Sequence, residues 1–347
     1  MISVAHLSLR RSRILRGSAL LLAIATPCSS VFAQSDSAPP PLPPGRLVDL
    51  GGYKLHLNCT GSGSPTVVLS AGAGDFSTDW ALVQSKVAAF TRVCSYDRSG
   101  AAWSDLGPKP RTLDQEVFDL ERLLRAAGEH GPYIVGGQSL GGMVARLFAE
   151  RYPRQTTGVL LVDAYSEDAQ LGVNGKLTRI RLIAKDRQIP APRSAVTPDD
   201  AMTTTELKSA QDFIKDVIGK PKIEPPFDKL PSDAQRARLW AAVQPKSFGQ
   251  SDDYLAEISA KVYAESQANA HPLGDVPLIV LARSRSDYPP DVAAMLTAEH
   301  NAQQAKFATL STKGTEIIVP NAGHHIQLDA PDAVVDAIRR LVDRGRR

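Results

Sequence analysis

The run Tyr133-Ile-Val-Gly-Gly137-Gln-Ser139-Leu-Gly141-Gly142 carries an apolar strand into a helix through a single serine, and it restricts the fold more than any other stretch of the chain. A serine lifted above the end of a sheet sits in a strained backbone conformation, and the residues two positions either side must be nearly free of side chain. Gly137 and Gly141 meet that need. The helix beginning near Leu140 aims its first N–H groups at the space beside Ser139, where an oxyanion forms if the serine is a nucleophile. The short Gly-x-Ser-x-Gly string recurs by chance in unrelated chains, so the strand before it and the helix after it carry the inference.

From Gly45 onward, short β-branched runs alternate with amphipathic stretches, the pattern of a mostly parallel sheet covered on both faces. The runs predict strands over 46–50, 53–59, 66–70, 92–96, 133–137, 159–163, 278–282 and 315–320. Between them, Thr112 and Gln115 form a capping-box pair ahead of Val117, Leu120, Leu124 and Ala127, with Gly128 as the stop. Trp80, Val83, Val87 and Phe90 share one helical face, as do Val334, Ile338, Leu341 and Val342, and both stripes read as core.

The first 33 residues differ in kind. Arg10, Arg11, Arg13 and Arg16 precede the apolar run Ala19–Ala25, and Val31-Phe-Ala33 supplies small residues for cleavage, so the segment reads as a secretory signal peptide. The apolar run is well short of the roughly 20 residues that span a bilayer, which argues against a lasting membrane anchor. Removing four arginines and no acids takes the formal charge from +3 to −1, and nothing in the remainder suggests nucleic acid. The mature chain keeps two cysteines, Cys59 and Cys94, which an oxidising compartment would pair; two buried free thiols are the alternative. The proline-rich residues 34–44 read as an extended spacer before the domain.

Residues 164–276 break the alternation. They show no convincing strand and hold polar helical segments separated by prolines, so they read as a helical cap inserted into a core of residues 45–163 and 277–347. The basic stretch Lys176–Arg187 within it reads as a solvated helix face, and Trp240 and Tyr254 as core of the cap helices more than as pocket lining.

A nucleophilic serine needs a base and an orienting acid. His324 follows Gly323 in a loop between the last apolar strand and the last helix; His325 competes with it, but adjacent side chains diverge and only one can face Ser139. With these residues in place the chain resembles the α/β-hydrolases of the serine esterase type from about Gly45 to the C-terminus. The resemblance is carried by Val67-Val-Leu-Ser-Ala-Gly72-Ala73-Gly74, Tyr96-Asp97-Arg98-Ser-Gly100, Gly137-Gln-Ser139-Leu-Gly141 and Gly323-His324. It implies an eight-stranded, mostly parallel sheet with an inserted helical cap, second and fourth strands side by side so that Cys59 can reach Cys94, and backbone N–H donors at Leu140 and Ala73. Family members commonly have His-Gly in the oxyanion loop, where this chain has Ala71-Gly72. The acid is Asp163, ending the sixth strand, or Asp287, after the seventh, where the family's acid more often stands but here without the usual turn glycine. The expected chemistry is acyl transfer from a small ester-type substrate with no metal or organic cofactor. Amide, lactone or carbon–carbon bond hydrolysis on the same residues is the alternative, and a non-catalytic binding protein a more distant one. Oligomeric state is left open.

Overall fold

The computed structural model describes residues 40–346 except 174–175, 185, 249–252 and 287. The signal reading over residues 1–33 and the alternative acid Asp287 therefore lie outside the described residues.

Eight strands form one sheet: β1 (Arg46–Asp49), β2 (Lys54–Thr60), β3 (Thr66–Ser70), β4 (Val93–Tyr96), β5 (Tyr133–Gln138), β6 (Thr156–Val162), β9 (Leu278–Arg283) and β10 (Gly314–Val319). Their order is β1-β2-β4-β3-β5-β6-β9-β10. The pairs β1/β2 and β2/β4 are antiparallel and the rest parallel. All eight expected strands are present. They are legible because both faces of the sheet are covered, so nearly every central-strand residue is apolar. Within those runs the twofold alternation still sorts side chains: Val67, Leu69, Ile134, Leu160 and Val162 pack on one face, and Val68, Val135, Val159 and Leu161 on the other.

Helices α1 (Ala81–Val87) and α10 (Pro331–Gly345) cover the first face, burying Val83, Val87, Val334, Ile338, Leu341 and Val342. The opposite face takes α2 (Leu113–Ala126), α3 (Leu140–Arg151) and α8 (Pro290–Ala308). Thr112 caps α2 by accepting from Gln115 N at 3.0 Å. The reciprocal half of the expected capping box is replaced, because the Gln115 amide turns to Asp119 and to the Arg193 carbonyl.

Among the described residues between β6 and β9 no strand joins the main sheet, but the segment is not all helical. The described residues there include α4 (Thr204–Phe213), α5 (Ser232–Ala241), α6 (Tyr254–Glu257) and α7 (Tyr263–Ala268), preceded by an antiparallel ribbon of β7 (Gln170–Val173) and β8 (Lys176–Arg179). The basic stretch expected on a helix face thus begins as a strand. Arg179 bonds Glu299 of α8, Arg181 bonds Asp168 at 2.7 Å and Arg187 pairs with Asp253 at 2.6 Å, so three of its charges are paired rather than merely solvated. A short α9 (Ile326–Asp329) follows the histidine loop.

Cys59 and Cys94 face one another across β2 and β4 and are joined by a disulfide. The end of the proline-rich segment is docked rather than free: Trp103 Nε1 donates to the Pro41 carbonyl at 2.8 Å, and buried His56 contacts the Pro44 carbonyl through Nε2. Among the described residues no helix is long and apolar enough to cross a membrane.

Candidate active site

The turn after β5 has the strain that the sequence requires of it. Ser139 sits at φ 54°, ψ −122°, outside the conformations an L-residue adopts without cost. A methyl group on Gly137 would overlap the Gly141 carbonyl, and one on Gly141 would overlap the carbonyls of Ser70 and Ala71. The Ser139 carbonyl accepts from Gly142 N at 2.9 Å and from Tyr165 N at 3.0 Å, which ties the turn to the segment just after β6. Ser139 itself is partly exposed.

That same segment delivers Asp163, 1 % exposed and also in the left-handed region at φ 44°. Its Oδ2 lies 2.6 Å from His324 Nδ1. Its Oδ1 lies 2.8 Å from His300 Nε2 and accepts from Arg283 N at 3.1 Å. Burial alone would raise this carboxyl, but hydrogen bonds from His300 and His324, with the charges of the same two rings, hold it well below the usual carboxylate range. Because the carboxylate is ionised, the nitrogens facing it carry protons, and His324 keeps Nε2 as its basic nitrogen. The loop that holds His324 is fixed to the serine turn through Gln138, whose side-chain amide donates to the His324 carbonyl at 3.1 Å. His325 points elsewhere: Nε2 lies 3.3 Å from Asp75 Oδ2, and the ring meets Phe227 edge-on at 4.7 Å between centroids.

The loop Ala71-Gly72-Ala73-Gly74 after β3 is held by a residue whose role sequence reading did not assign. Arg98 is buried, and its guanidinium donates to the carbonyls of Ala71 and of Gly72, the latter at 2.6 Å. The Tyr96–Gly100 motif therefore acts as a clamp on the loop that carries Ala73, which is exposed at its tip. A side chain at Gly72 would meet the amide of Gln138 and the carboxylate of Asp75, and both would have to shift to admit it. Arg238 of α5 reaches down to the same loop, pairing with Asp75 at 3.0 Å and with Asp79, while stacked on the Phe227 ring at 3.4 Å. Burial pushes Asp79 up to about 6, partly offset by Arg238.

Trp240 and Tyr254 sit where the segment between β6 and β9 meets the loop after β4 and helix α2. Trp240 packs on Trp103 at 5.4 Å between ring centroids, and the Tyr254 hydroxyl donates to Glu116 of α2. One described group, Cys59, Cys94 and Glu129, brings three ligand-type atoms within 4.8 Å of one another, but both sulfurs are spent in the disulfide and Glu129 is paired with Arg92.

The profile of the alpha/beta hydrolase family matches residues 67–337. The chain belongs to that family. An AB hydrolase superfamily protein of Gibberella zeae is 22% identical over 311 residues, 80% of this chain and 86% of that protein. Family members of known structure share the fold at low identity. An esterase from Thermogutta terrifontis superposes with a TM-score of 0.55 at 19% identity, covering 84% of this chain and 94% of that one. An enol-lactonase from Burkholderia xenovorans LB400 gives 0.58 at 16%, covering 86% and 100%. Three further curated relatives match more locally, and the chain spans only 18%, 37% and 41% of their lengths.

Ser139, Asp163 and His324 follow the carboxyl ends of β5, β6 and β10, on the same side of the sheet. His300, which shares Asp163 with His324, and Arg98, which holds the loop after β3, went unassigned at the level of sequence. The only sequence signal for His300 is its place in the series His300, Gln304, Phe307, which spaces one buried face of α8.

Proposed function

We propose that this member of the family is a serine hydrolase that cleaves carboxylic esters. The observation that carries the reading is the contact of His324 Nδ1 with Asp163 at 2.6 Å, in a loop anchored to the strained Ser139 turn. In this reading Ser139 Oγ attacks the ester carbonyl while His324 Nε2 takes its proton. The N–H groups of Leu140 and Ala73 hold the oxyanion, and Asp163 stabilises the imidazolium. His324 then protonates the leaving alcohol, and water releases the acyl group from Ser139 by the reverse assignments. No metal or organic cofactor enters the scheme. The substrate is a small molecule whose acyl and alcohol parts are read by the inserted segment above the loops.

The test is hydrolysis of p-nitrophenyl esters of graded acyl length by the chain starting near Gln34, with Ser139→Ala alongside. Turnover that disappears in the variant supports the reading, and turnover retained in the variant removes Ser139 from the mechanism. An amide and lactone panel run in parallel separates the ester reading from the alternatives that use the same residues. Export is part of the proposal, supported by the signal-like residues 1–33 and by a disulfide that an oxidising compartment maintains. A processed chain beginning near Gln34 outside the cytoplasm is the expected result, and a full-length cytosolic chain would overturn it.

A further inference from the structure

We propose that His300 is a positioning residue of this site, holding Oδ1 of Asp163 so that Oδ2 meets His324 in one fixed orientation. The inference rests on the reading of Ser139, His324 and Asp163 given above.

The two oxygens of Asp163 are divided between partners from different elements. Oδ1 takes the His300 ring from α8 at 2.8 Å and the Arg283 backbone N–H at the end of β9 at 3.1 Å. Oδ2 takes His324 at 2.6 Å, with the Arg283 guanidinium 3.4 Å away. A carboxylate gripped through Oδ2 alone can turn about its last side-chain bond. One that also accepts two donors on Oδ1 cannot do so without leaving a buried donor unpaired.

The helix that brings His300 is itself fixed to the acid's segment. Gln304, one turn further along α8, donates to the Ala164 carbonyl at 2.8 Å. Glu299 and Gln303 point away from the site, to Arg179 and to the Asp168 carbonyl. The His300 side chain is 9% exposed, a position where an apolar residue would pack equally well if filling space were all that mattered. His300 faces Asp163 after β6 and the charge of Glu316 of β10, while Arg283 at the end of β9, Tyr288 in the approach to α8 and His324 lie about the same carboxylate.

A donor on Oδ1 draws charge away from the carboxylate, so Asp163 favours the His324 imidazolium less than it would without His300. Should His300 itself become protonated, its positive charge acts in the same direction. Removing it therefore raises the pH at which His324 protonates. The acid limb of kcat/KM then moves upward, and the looser carboxylate lowers the plateau.

The test is the pH profile of kcat/KM on p-nitrophenyl acetate for the full mature chain, His300→Phe, His300→Ala and His300→Gln. The Gln side-chain amide can place an N–H near the position of the ring Nε2. In the Phe and Ala variants the acid limb should rise by about one pH unit, with a plateau loss of about tenfold. His300→Gln should return the limb close to wild type. NMR titration of the His324 ring in the same proteins reads the same shift without substrate, and either Phe or Ala suffices if the other does not fold. A His324 titration that is unmoved in the folded Phe or Ala variant, or equally moved in Gln, overturns the inference. If the wild type turns over no ester and resists fluorophosphonate labelling, the hydrolase reading is what fails, and the titration still decides whether His300 acts on His324.

Discussion

Replacing Asp163 by Asn is the most informative single perturbation. Asn tolerates the left-handed backbone that Asp163 adopts, so the change tests the side chain rather than the turn. Two losses follow. With the charge centres of Asp163 and the His324 imidazolium ~4 Å apart and an effective dielectric of about 20, the carboxylate stabilises the imidazolium by about 4 kcal/mol. That is roughly a thousandfold in kcat. An amide can also turn its NH2 toward His324 Nδ1 and favour the wrong tautomer, which extends the loss toward about ten-thousandfold. The amide has one acceptor oxygen where the carboxylate serves His324, His300 and Arg283 N, so at least one buried donor is left facing NH2. The associated cost is about 1–3 kcal/mol of stability. The assay is kcat for p-nitrophenyl ester hydrolysis at pH 8, with melting temperatures alongside, for Asp163→Asn and Asp287→Asn. The expected outcome is a loss of three to four orders of magnitude, in a protein still folded at the assay temperature, for the first, and retention within about threefold for the second. Asp163→Asn within tenfold of wild type, or an equal loss in Asp287→Asn, would refute the assignment.

Arg98→Ala strips the guanidinium from the Ala71 and Gly72 carbonyls and should lower kcat by about 10–100-fold with a smaller change in KM, as expected for a misplaced oxyanion donor; steady-state kinetics check it, and an unchanged kcat would show that the loop holds itself. Glu257 of α6 is fully buried and accepts from the N–H groups of Leu113 and Asp114 at the start of α2, and burial with the nearby charge of Asp114 pushes it up to about 7 against those hydrogen bonds. Because the folded chain holds this proton more tightly than the unfolded one, its contribution is fully present below about pH 4.5 and is lost as pH rises through about 7. Glu257→Gln should therefore flatten the fall in melting temperature between pH 5 and 8, and an unchanged slope would place the dependence elsewhere. The disulfide closes a loop with a sequence separation of 35, worth about 4 kcal/mol by chain entropy. Denaturant melts of the Cys59→Ala/Cys94→Ala chain should show a loss of that order, and thiol titration of the unreduced mature protein should find no free thiol.

The parts legible in the sequence are those governed by local rules. The eight strands of the main sheet were readable because each is a short apolar run between turn residues, and Thr112 at the head of α2 because one hydroxyl serves an N–H three residues on. The turn at Ser139 was readable because only glycine fits at Gly137 and Gly141. The ribbon β7/β8 escaped because its strands lack a strong apolar face: Lys176 and Leu177 are exposed, and Thr178 and Arg179 only half-buried.

What the sequence determined by itself is the α/β alternation, the serine turn and a histidine loop placed after the last strand, all set by backbone sterics and by hydrophobic periods of two and 3.6 residues. What only the tertiary structure decided is which groups meet. Asp163 lies 161 residues from His324 and 137 from His300, and Arg98 grips carbonyls 26 and 27 residues before it. Asp163, His324 and His325 each fit their own stretch of chain equally well. The choice among them depends on strand order, on the docking of α8 and on which carboxylate loses its water beside which ring, and none of these is encoded in local pattern.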